Sequence, residues 1–420
     1  MSGDRSGAGG PRRLTMTRMR PFGDVISLDA ARAILDATGT PIDRVETVAL
    51  SEANGRVLAS DAIARRDVPP FSRAGMDGYA VRACDTHGAT RAHPRTLTKV
   101  ATIYTGEVST IAVLDGQCAE ISTGAPMPDG ADAVEMVEET DASAGSEVAV
   151  FAEVQTGQHV GARGADIRSG QVVVAAGEIL NSSRIGALAA IGVSSVDVYE
   201  RPRVAILSTG NEIVEPGQEL QPGQIYDINR FTISVVVSEN GGVPVAHPPA
   251  PDTLEALIET LDSLVTHDLV VFSGGSSVGE RDLIRDAITA RGRLLFHGVA
   301  VKPGKPTGLG LVNGKPVFAM PGYPTSCLSN AHMLLVPMLR RIARLNPKIS
   351  KTLRMPLARR IASAAGRHQF YTVRIENGTA VPAFKASGDI TSMSRADGYI
   401  EIPANVDAVE AGTSVDVTLF

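Results

Sequence analysis

The sequence predicts a multidomain protein of α/β plus β class, with a doubly wound α/β domain, a β-rich inserted domain, a mixed elongated domain and a C-terminal β-domain. Three observations carry this. Between residues 200 and 347, apolar runs ending in small or hydroxyl residues and followed by helical punctuation recur three times. From 68 to 160 the rhythm changes to short strands with frequent turns, flanked on both sides by segments of similar mixed character. The 420 residues also exceed what one hydrophobic core supports.

Residues 1–20 are rich in Gly, Arg and Ser without apolar period, as a flexible tail is. Arg12-Arg13 is not followed by the apolar region that a twin-arginine export signal needs. Ser27 precedes Leu28-Asp29-Ala30-Ala31-Arg32-Ala33-Ile34-Leu35, an N-capped helix over 27–38, and 44–62 mixes strand and helix. Residues 21–67 and 161–199, the latter with a helix over 182–191, form the mixed elongated domain. The inserted domain, 68–160, contains Gly78-Tyr79-Ala80-Val81, Lys99-Val100-Ala101-Thr102-Ile103, Ala133-Val134-Glu135-Met136-Val137 and Glu147-Val148-Ala149-Val150-Phe151 as strands. Residues 348–420 read as strands and turns again, a separate C-terminal domain.

The α/β domain, 200–347, holds the most informative stretch, 268–306. Asp268-Leu269-Val270-Val271-Phe272 has the β-branched, apolar character of a strand buried on both faces. It stops at Ser273-Gly274-Gly275-Ser276-Ser277-Val278-Gly279, where small residues admit a ligand to backbone N–H groups. A helix over 280–291 follows, with Leu283, Ile284, Ala287 and Ile288 on one face and Gly292 closing it. Next comes Lys302-Pro303-Gly304-Lys305-Pro306, whose two ammonium groups, three residues apart on a stiffened loop, can neutralise a phosphate or another oxyanion. Val204-Ala205-Ile206-Leu207 ends in Ser208-Thr209-Gly210-Asn211-Glu212. Val317-Phe318-Ala319-Met320 ends in Pro321-Gly322-Tyr323-Pro324-Thr325-Ser326 and leads into a helix reaching about residue 345. One such loop is an ordinary turn; three of them beside a lysine pair describe a crevice beyond the carboxyl ends of a parallel sheet.

A net charge of −6 gives no sign of a nucleic-acid binder. No apolar run approaches the roughly 20 residues that span a bilayer. Cys84, Cys118 and Cys327 make no CxxC pair and no even disulfide set, so they read as reduced packing residues of a cytoplasmic protein.

The chain resembles the molybdopterin molybdenumtransferase family, the molybdenum insertases that include the gephyrin E domain. The resemblance rests on Pro70-Phe71 with Gly75-Met76-Asp77-Gly78-Tyr79-Ala80-Val81, Ser122-Thr123-Gly124-Ala125-Pro126 with Gly130-Ala131-Asp132-Ala133-Val134, and Leu207-Ser208-Thr209-Gly210-Asn211-Glu212. Gln224-Ile225-Tyr226-Asp227 with Asn229-Arg230, Ser273-Gly274-Gly275 with Ser277-Val278-Gly279, and the double-lysine loop complete it, in family order from about residue 21 to the end. It implies an enzyme that joins molybdate to adenylylated molybdopterin with release of AMP, assisted by Mg²⁺, and a homodimer whose mixed elongated domain dimerises. The molybdopterin adenylyltransferase that makes the substrate is an expected partner.

The resemblance also implies roles for residues. Lys302, Lys305 and Glu212 join Asp77 and Asp166 as catalytic candidates, the last two with Thr123 serving the crevice of the partner subunit. Ser208, Thr209, Gly210, Gly274, Gly275, Ser277, Pro306, Ser326, Arg367 and Ser387 bind substrate, and Asp252 and Asp282 bind Mg²⁺. Local explanations stand beside several of these. Asp252 opens Asp252-Thr253-Leu254-Glu255, a capping box; Asp282 suits the first turn of a helix; Asp227 can cap a helix over 230–240; Asp77 before Gly78 suits a turn.

The chain departs from the family pattern at His159-Val160-Gly161-Ala162-Arg163-Gly164-Ala165-Asp166-Ile167, which lacks two arginines and a glutamate, and at Tyr323, which stands for an asparagine. Ser72, Ala74 and Gly75 differ from the family as well. These changes would mark a tungstate-handling subtype or a paralogue of weaker activity. The Gly-Gly loop also occurs in enzymes that adenylylate molybdopterin, against which the double-lysine loop and the flanking domains argue, and the gephyrin resemblance leaves a non-catalytic cofactor scaffold as the other rival reading.

Overall fold

The computed structural model describes residues 25–274 and 282–420. The chain divides into two compact units, one of residues 45–198 and one that joins the segment up to Arg44 to Tyr199–Phe420.

The second unit is built on a six-stranded sheet. Val243–Ala246, Arg203–Ser208, Leu269–Ser273 and Lys315–Met320 lie side by side in parallel, and Gly308–Val312 and Gly292–His297 extend the sheet antiparallel. Because successive side chains point to opposite faces, the apolar runs serve two cores at once. Val204, Ile206, Leu269, Val271, Phe318 and Met320 face one core, covered by helices Leu28–Thr38 and Asn229–Glu239. Ala205, Leu207, Val270, Phe272, Val317 and Ala319 face the other, covered by Leu254–Leu264 and Leu283–Arg291. Each fully buried side chain of this kind contributes about 1.5–3 kcal/mol. Helix Leu28–Thr38, which the sequence groups with residues 21–67, therefore has its apolar face in the α/β core, and Ser27 caps it by accepting the Ala30 N–H at 3.1 Å.

Several helix ends differ from their sequence reading. Helix Leu254–Leu264 is capped by Thr253, whose hydroxyl accepts the Ala256 N–H; Asp252 is one residue too early and lies exposed. Asp282 is not in a first turn but is itself the N-cap of Leu283–Arg291, accepting the Arg285 N–H at 3.1 Å. Gly292 does not close that helix in a left-handed turn. Its φ of −168° is extended, and glycine is required because a Cβ would lie 1.9 Å from the carbonyl oxygen of Leu311 on the neighbouring strand. The last helical stretch runs Pro324–Asn330, Ala331–Leu335 and Val336–Ile342, its middle segment a π-helical turn.

The C-terminal sheet is Val301–Lys302, His368–Glu376, Gly398–Ile402, Ser414–Leu419 and Thr352–Pro356 in order, with Thr379–Pro382 also paired to His368–Glu376. Its first strand comes from the α/β segment: Val301 pairs with His368 and Lys302 with Gln369, in parallel.

In the unit of residues 45–198, Val48, Leu58, Ile167, Leu180, Leu188 and Val198 share one core drawn from both ends of the unit. The intervening residues form a mixed six-stranded sheet, Ala133–Met136, Gly78–Val81, Gln117–Ile121, Arg95–Ile103, Glu147–Val150 and Thr140–Ala144. Of the cysteines, Cys118 and Cys327 are buried, whereas Cys84 is exposed and so is not the packing residue the sequence suggests.

Glu135, on the first strand of that sheet, is only 2% exposed, and its Oε2 has no hydrogen-bond partner among the described residues. Burial pushes its carboxyl up to about 7 from 4.5, against the opposing effect of the Met136 N–H it accepts. The folded chain thus holds a proton that the unfolded chain releases. This stabilising contribution is complete below the unfolded value and is lost as pH rises through about 7. Glu135→Gln should raise stability by about 2 kcal/mol at pH 8 and by little near pH 4.5, read from denaturant unfolding at the two pH values. An equal gain at both would show that the carboxyl does not titrate in the fold.

Candidate functional site

The carboxyl ends of Arg203–Ser208, Leu269–Ser273 and Lys315–Met320 open into a cleft of about 1170 Å³. Its floor is a hydrogen-bonded set of buried side chains. Ser208 Oγ donates to Asp227 Oδ1 at 2.7 Å and lies 3.0 Å from Ser273 Oγ. Asp227 Oδ1 also accepts the Arg230 N–H at 3.1 Å, so the helix-capping role read from the sequence coexists with a role in the floor. The Arg230 guanidinium, itself buried, pairs with Asp227 and Glu215 and so compensates the buried carboxylate.

Glycines let the backbones meet there. Gly274 has φ +99°, and a Cβ on it would lie 2.4 Å from the Thr209 carbonyl oxygen. At Gly210, φ +142°, a Cβ would strike the Glu212 carboxylate. Asn229 donates to the Gly322 carbonyl at 2.8 Å, tying the helix Asn229–Glu239 to the loop after Lys315–Met320.

One wall is cationic. Lys302, Lys305, Arg367 and Lys385 line the cleft with Pro306, Ser326 and Ser387. Arg367 lines the same cleft, although the parallel pairing of Val301 with His368 sets its backbone level with Ala300, before Lys302 rather than beside the loop that follows it. Ser387 is held by a second tie: its carbonyl accepts the Thr325 N–H at 3.1 Å, and Thr325 Oγ1 donates to the Asp389 carbonyl at 2.9 Å. Within a chain of net charge −6, this wall is a local concentration of positive charge able to hold an oxyanion. The cleft is also lined by Ile213, Leu220, Ile225, Tyr226, Tyr323 and Phe384, apolar and aromatic surface for a planar ring.

The cleft therefore gathers Ser208, Thr209, Glu212, Gly274, Lys302, Lys305, Pro306, Ser326, Arg367 and Ser387, with Gly210 between two of them. Asp252 and Asp282 do not line it among the described residues. Both oxygens of Asp282 have protein neighbours, the Arg285 N–H on one and His297 Nε2 at 2.7 Å from the other. Among the described residues no three His, Cys, Asp or Glu side chains gather as a ready-made metal cage. Gly275 and Ser277 lie outside the described residues. Asp77, Thr123 and Asp166 belong to the other unit, where Asp77 Oδ1 accepts the Thr123 N–H at 2.7 Å. That bond, followed by one to the Thr123 side chain, holds the Asp77 carboxyl below its ordinary value. Arg163, in the segment poor in arginines, is ion-paired with Asp67.

Sequence reasoning did not single out Ser273, Lys385 or Phe384 as site residues. Ser273 follows an apolar strand like Ser208 and was open to the same argument; Lys385 and Phe384 reach the cleft only through tertiary packing.

Three family models cover the chain: the MoeA N-terminal region (domain I and II) over residues 26–192, the probable molybdopterin binding domain over 205–341, and the MoeA C-terminal region (domain IV) over 354–420. A molybdopterin molybdenumtransferase 2 from Mycobacterium tuberculosis is 35% identical over 381 residues, covering 88% of this chain and 94% of the relative. The chain belongs to the molybdopterin molybdenumtransferase (MoeA) family. A second relative, the molybdopterin molybdenumtransferase of Staphylococcus epidermidis, is 30% identical over 88% of this chain and 90% of its own length. The solved molybdopterin biosynthesis MoeA protein of Pyrococcus horikoshii superposes with a TM-score of 0.83 at 39% identity, over 94% of this chain and 99% of its own. No helix among the described residues of this MoeA-family chain is long and apolar enough to cross a membrane.

If the cationic wall holds an oxyanion, Lys302→Ala and Lys305→Ala should each weaken binding of inorganic molybdate by about tenfold, the value of one charge-assisted contact. Stability should change by less than about 1 kcal/mol, because neither lysine is in a core. Calorimetric titration and thermal unfolding of the same samples check both statements; unchanged titration of the double variant would remove the lysines from the site.

Proposed function

We propose that this chain is the molybdenum insertase of molybdenum cofactor biosynthesis, converting adenylylated molybdopterin and molybdate to the molybdenum cofactor with release of AMP. The observation that carries the reading is the convergence of Lys302, Lys305, Arg367, Ser326 and Ser387 on one cleft at the carboxyl ends of a parallel sheet, in a chain of this family. Molybdate oxygens are held by the lysines, Arg367 and the two serines, while the pterin and its phosphates occupy the Ser208, Thr209, Gly210 and Gly274 side. Pro306 borders the oxyanion, and Gly275 and Ser277, outside the described residues, are substrate-binding candidates by family resemblance alone. The buried Asp227 and Arg230 keep Ser208 oriented. Glu212, folded over Gly210, stands at the edge of the cleft as the nearest candidate to order a water.

Cleavage of a phosphoanhydride calls for Mg²⁺, which would neutralise charge on the phosphates when bound. Asp252, exposed and open, offers it a ligand, while Asp282 could do so only by giving up its contact with His297. Two carboxylates with substrate phosphate oxygens and water satisfy what this ion takes. Asp282→Asn should then slow AMP release and raise the Mg²⁺ concentration needed for half-maximal rate. An unchanged Mg²⁺ dependence would leave Asp282 as a helix cap only. The central assay supplies adenylylated molybdopterin, Mg²⁺ and either molybdate or tungstate, and follows AMP release together with metal incorporation. AMP release without incorporation of either metal would overturn the insertase reading, and the tungstate arm decides the preferred oxyanion.

The same reading makes the enzyme a cytoplasmic homodimer. Of the segments 21–67 and 161–199, the parts within the unit of residues 45–198 form its dimerisation domain, and Asp77, Thr123 and Asp166 serve the crevice of the partner subunit; the molybdopterin adenylyltransferase delivers the substrate. Mixing Asp77→Ala with Lys302→Ala chains should restore part of the activity, since a heterodimer places both lesions in one crevice and leaves the other intact. Demonstrated subunit exchange without recovery would exclude a shared site for this pair.

A further inference from the structure

We infer that Asn330 is a positioning residue for the oxyanion wall: it locks the double-lysine loop into the conformation that presents Lys302 and Lys305. The inference rests on the proposed role of those lysines. Asn330 is fully buried, one turn beyond Ser326 on the helix Pro324–Asn330, and its buried neighbours Cys327, Ala331 and Leu334 belong to the apolar core. Its Nδ2 donates to the Gly304 carbonyl at 2.7 Å and to Thr307 Oγ1 at 2.6 Å. Thr307 Oγ1 donates in turn to the same Gly304 carbonyl at 3.0 Å.

These three bonds close a knot around Gly304, one of the two residues between the lysines. Gly304 has φ +97°, and a Cβ on it would lie 2.0 Å from Asn330 Nδ2, so glycine and asparagine fit as a pair. On the other side, the Val299 N–H donates to the Lys305 carbonyl and the Gly298 N–H to the Thr307 carbonyl, both at 2.9 Å. The loop is thus held from the strand side by backbone and from the helix side by one amide. Asn330 Oδ1 is buried without a hydrogen-bond partner among the described residues. An apolar residue would avoid that unsatisfied acceptor, which is costly to bury, so core stability alone does not account for an asparagine here. What the amide supplies is the geometry of the loop.

Calorimetric titration of the full chain with inorganic molybdate tests this through a double-mutant cycle. Asn330→Leu, which keeps the branching and heavy-atom count of the side chain with somewhat more bulk and removes both donors, should weaken molybdate binding on the order of tenfold or more, as misplacement of binding groups does. In Lys302→Ala and Lys305→Ala backgrounds the same substitution should cost clearly less, because the groups it positions are gone. An equal loss in all three backgrounds would make Asn330 a structural residue acting elsewhere and overturn the inference, as would unaltered binding by Asn330→Leu. If Asn330→Leu does not fold, Thr307→Val, which opens the same knot from its other member, is carried through the same cycle with the same criteria. Failure of the underlying lysine reading is seen separately, as normal titration of Lys302→Ala and Lys305→Ala when Asn330 is intact.

Discussion

The parallel pairing of Val301–Lys302 with His368 and Gln369 is the contact on which the cleft depends. Two residues of strand leave the end of the α/β sheet and become the edge of the C-terminal sheet. The His368 N–H donates to the Ala300 carbonyl at 2.8 Å just before them. Because the lysine loop starts at this edge, its direction is set by both sheets, and Arg367, just before His368, lines the same cleft. The docking of Ser387 and Asp389 on Thr325 closes the arrangement from the other end. A cationic wall assembled from three distant segments is held by backbone pairing, one helix start and the Asn330 amide.

Two kinds of chemistry divide the cleft. The floor is compensated in charge: Ser208 is hydrogen-bonded to Asp227 and lies against Ser273, and Arg230 is ion-paired with Asp227, although Asp227 Oδ2 and Arg230 Nε, 3.4 Å apart, have no hydrogen-bond partner among the described residues. The wall is cationic, and its lysines and Arg367 line a cavity that an anionic ligand can enter. Since the chain as a whole is acidic, attraction by net charge is absent, and screening over about 8 Å in physiological salt leaves this local cluster as the source of attraction. Tyr323, exposed at 66%, adds aromatic surface to the cleft against which a flat ligand can lie.

Much of this was legible in the chain because the signals are local. Apolar strand ends at Ser208, Phe272 and Met320, the Ser27 cap and the helix face of Leu283, Ile284, Ala287 and Ile288 depend on near neighbours in sequence. Helix starts were less legible where two capping residues compete: Asp252 and Thr253 are both good caps, and only the backbone turn selects Thr253. Asp282 had the converse ambiguity, since a carboxylate is favoured both as a cap and in a first turn. Gly292 shows why a glycine at a helix end is not always a cap, for its reason lies in Leu311 on another strand.

The sequence by itself determined the family, the parallel α/β core and the loops that carry anion-binding groups, because periodicity and residue type decide which backbone can be buried and which must turn. Tertiary structure alone decided which of those groups meet. It gathered Lys302, Lys305, Arg367 and Ser387, set Asp282 against His297, and buried Asn330 against Gly304. These contacts join residues 15 to 85 positions apart through sheet register and helix docking. The free energy that enforces them belongs to the packed cores rather than to the residues in contact, and a linear sequence does not display which surfaces that packing brings together.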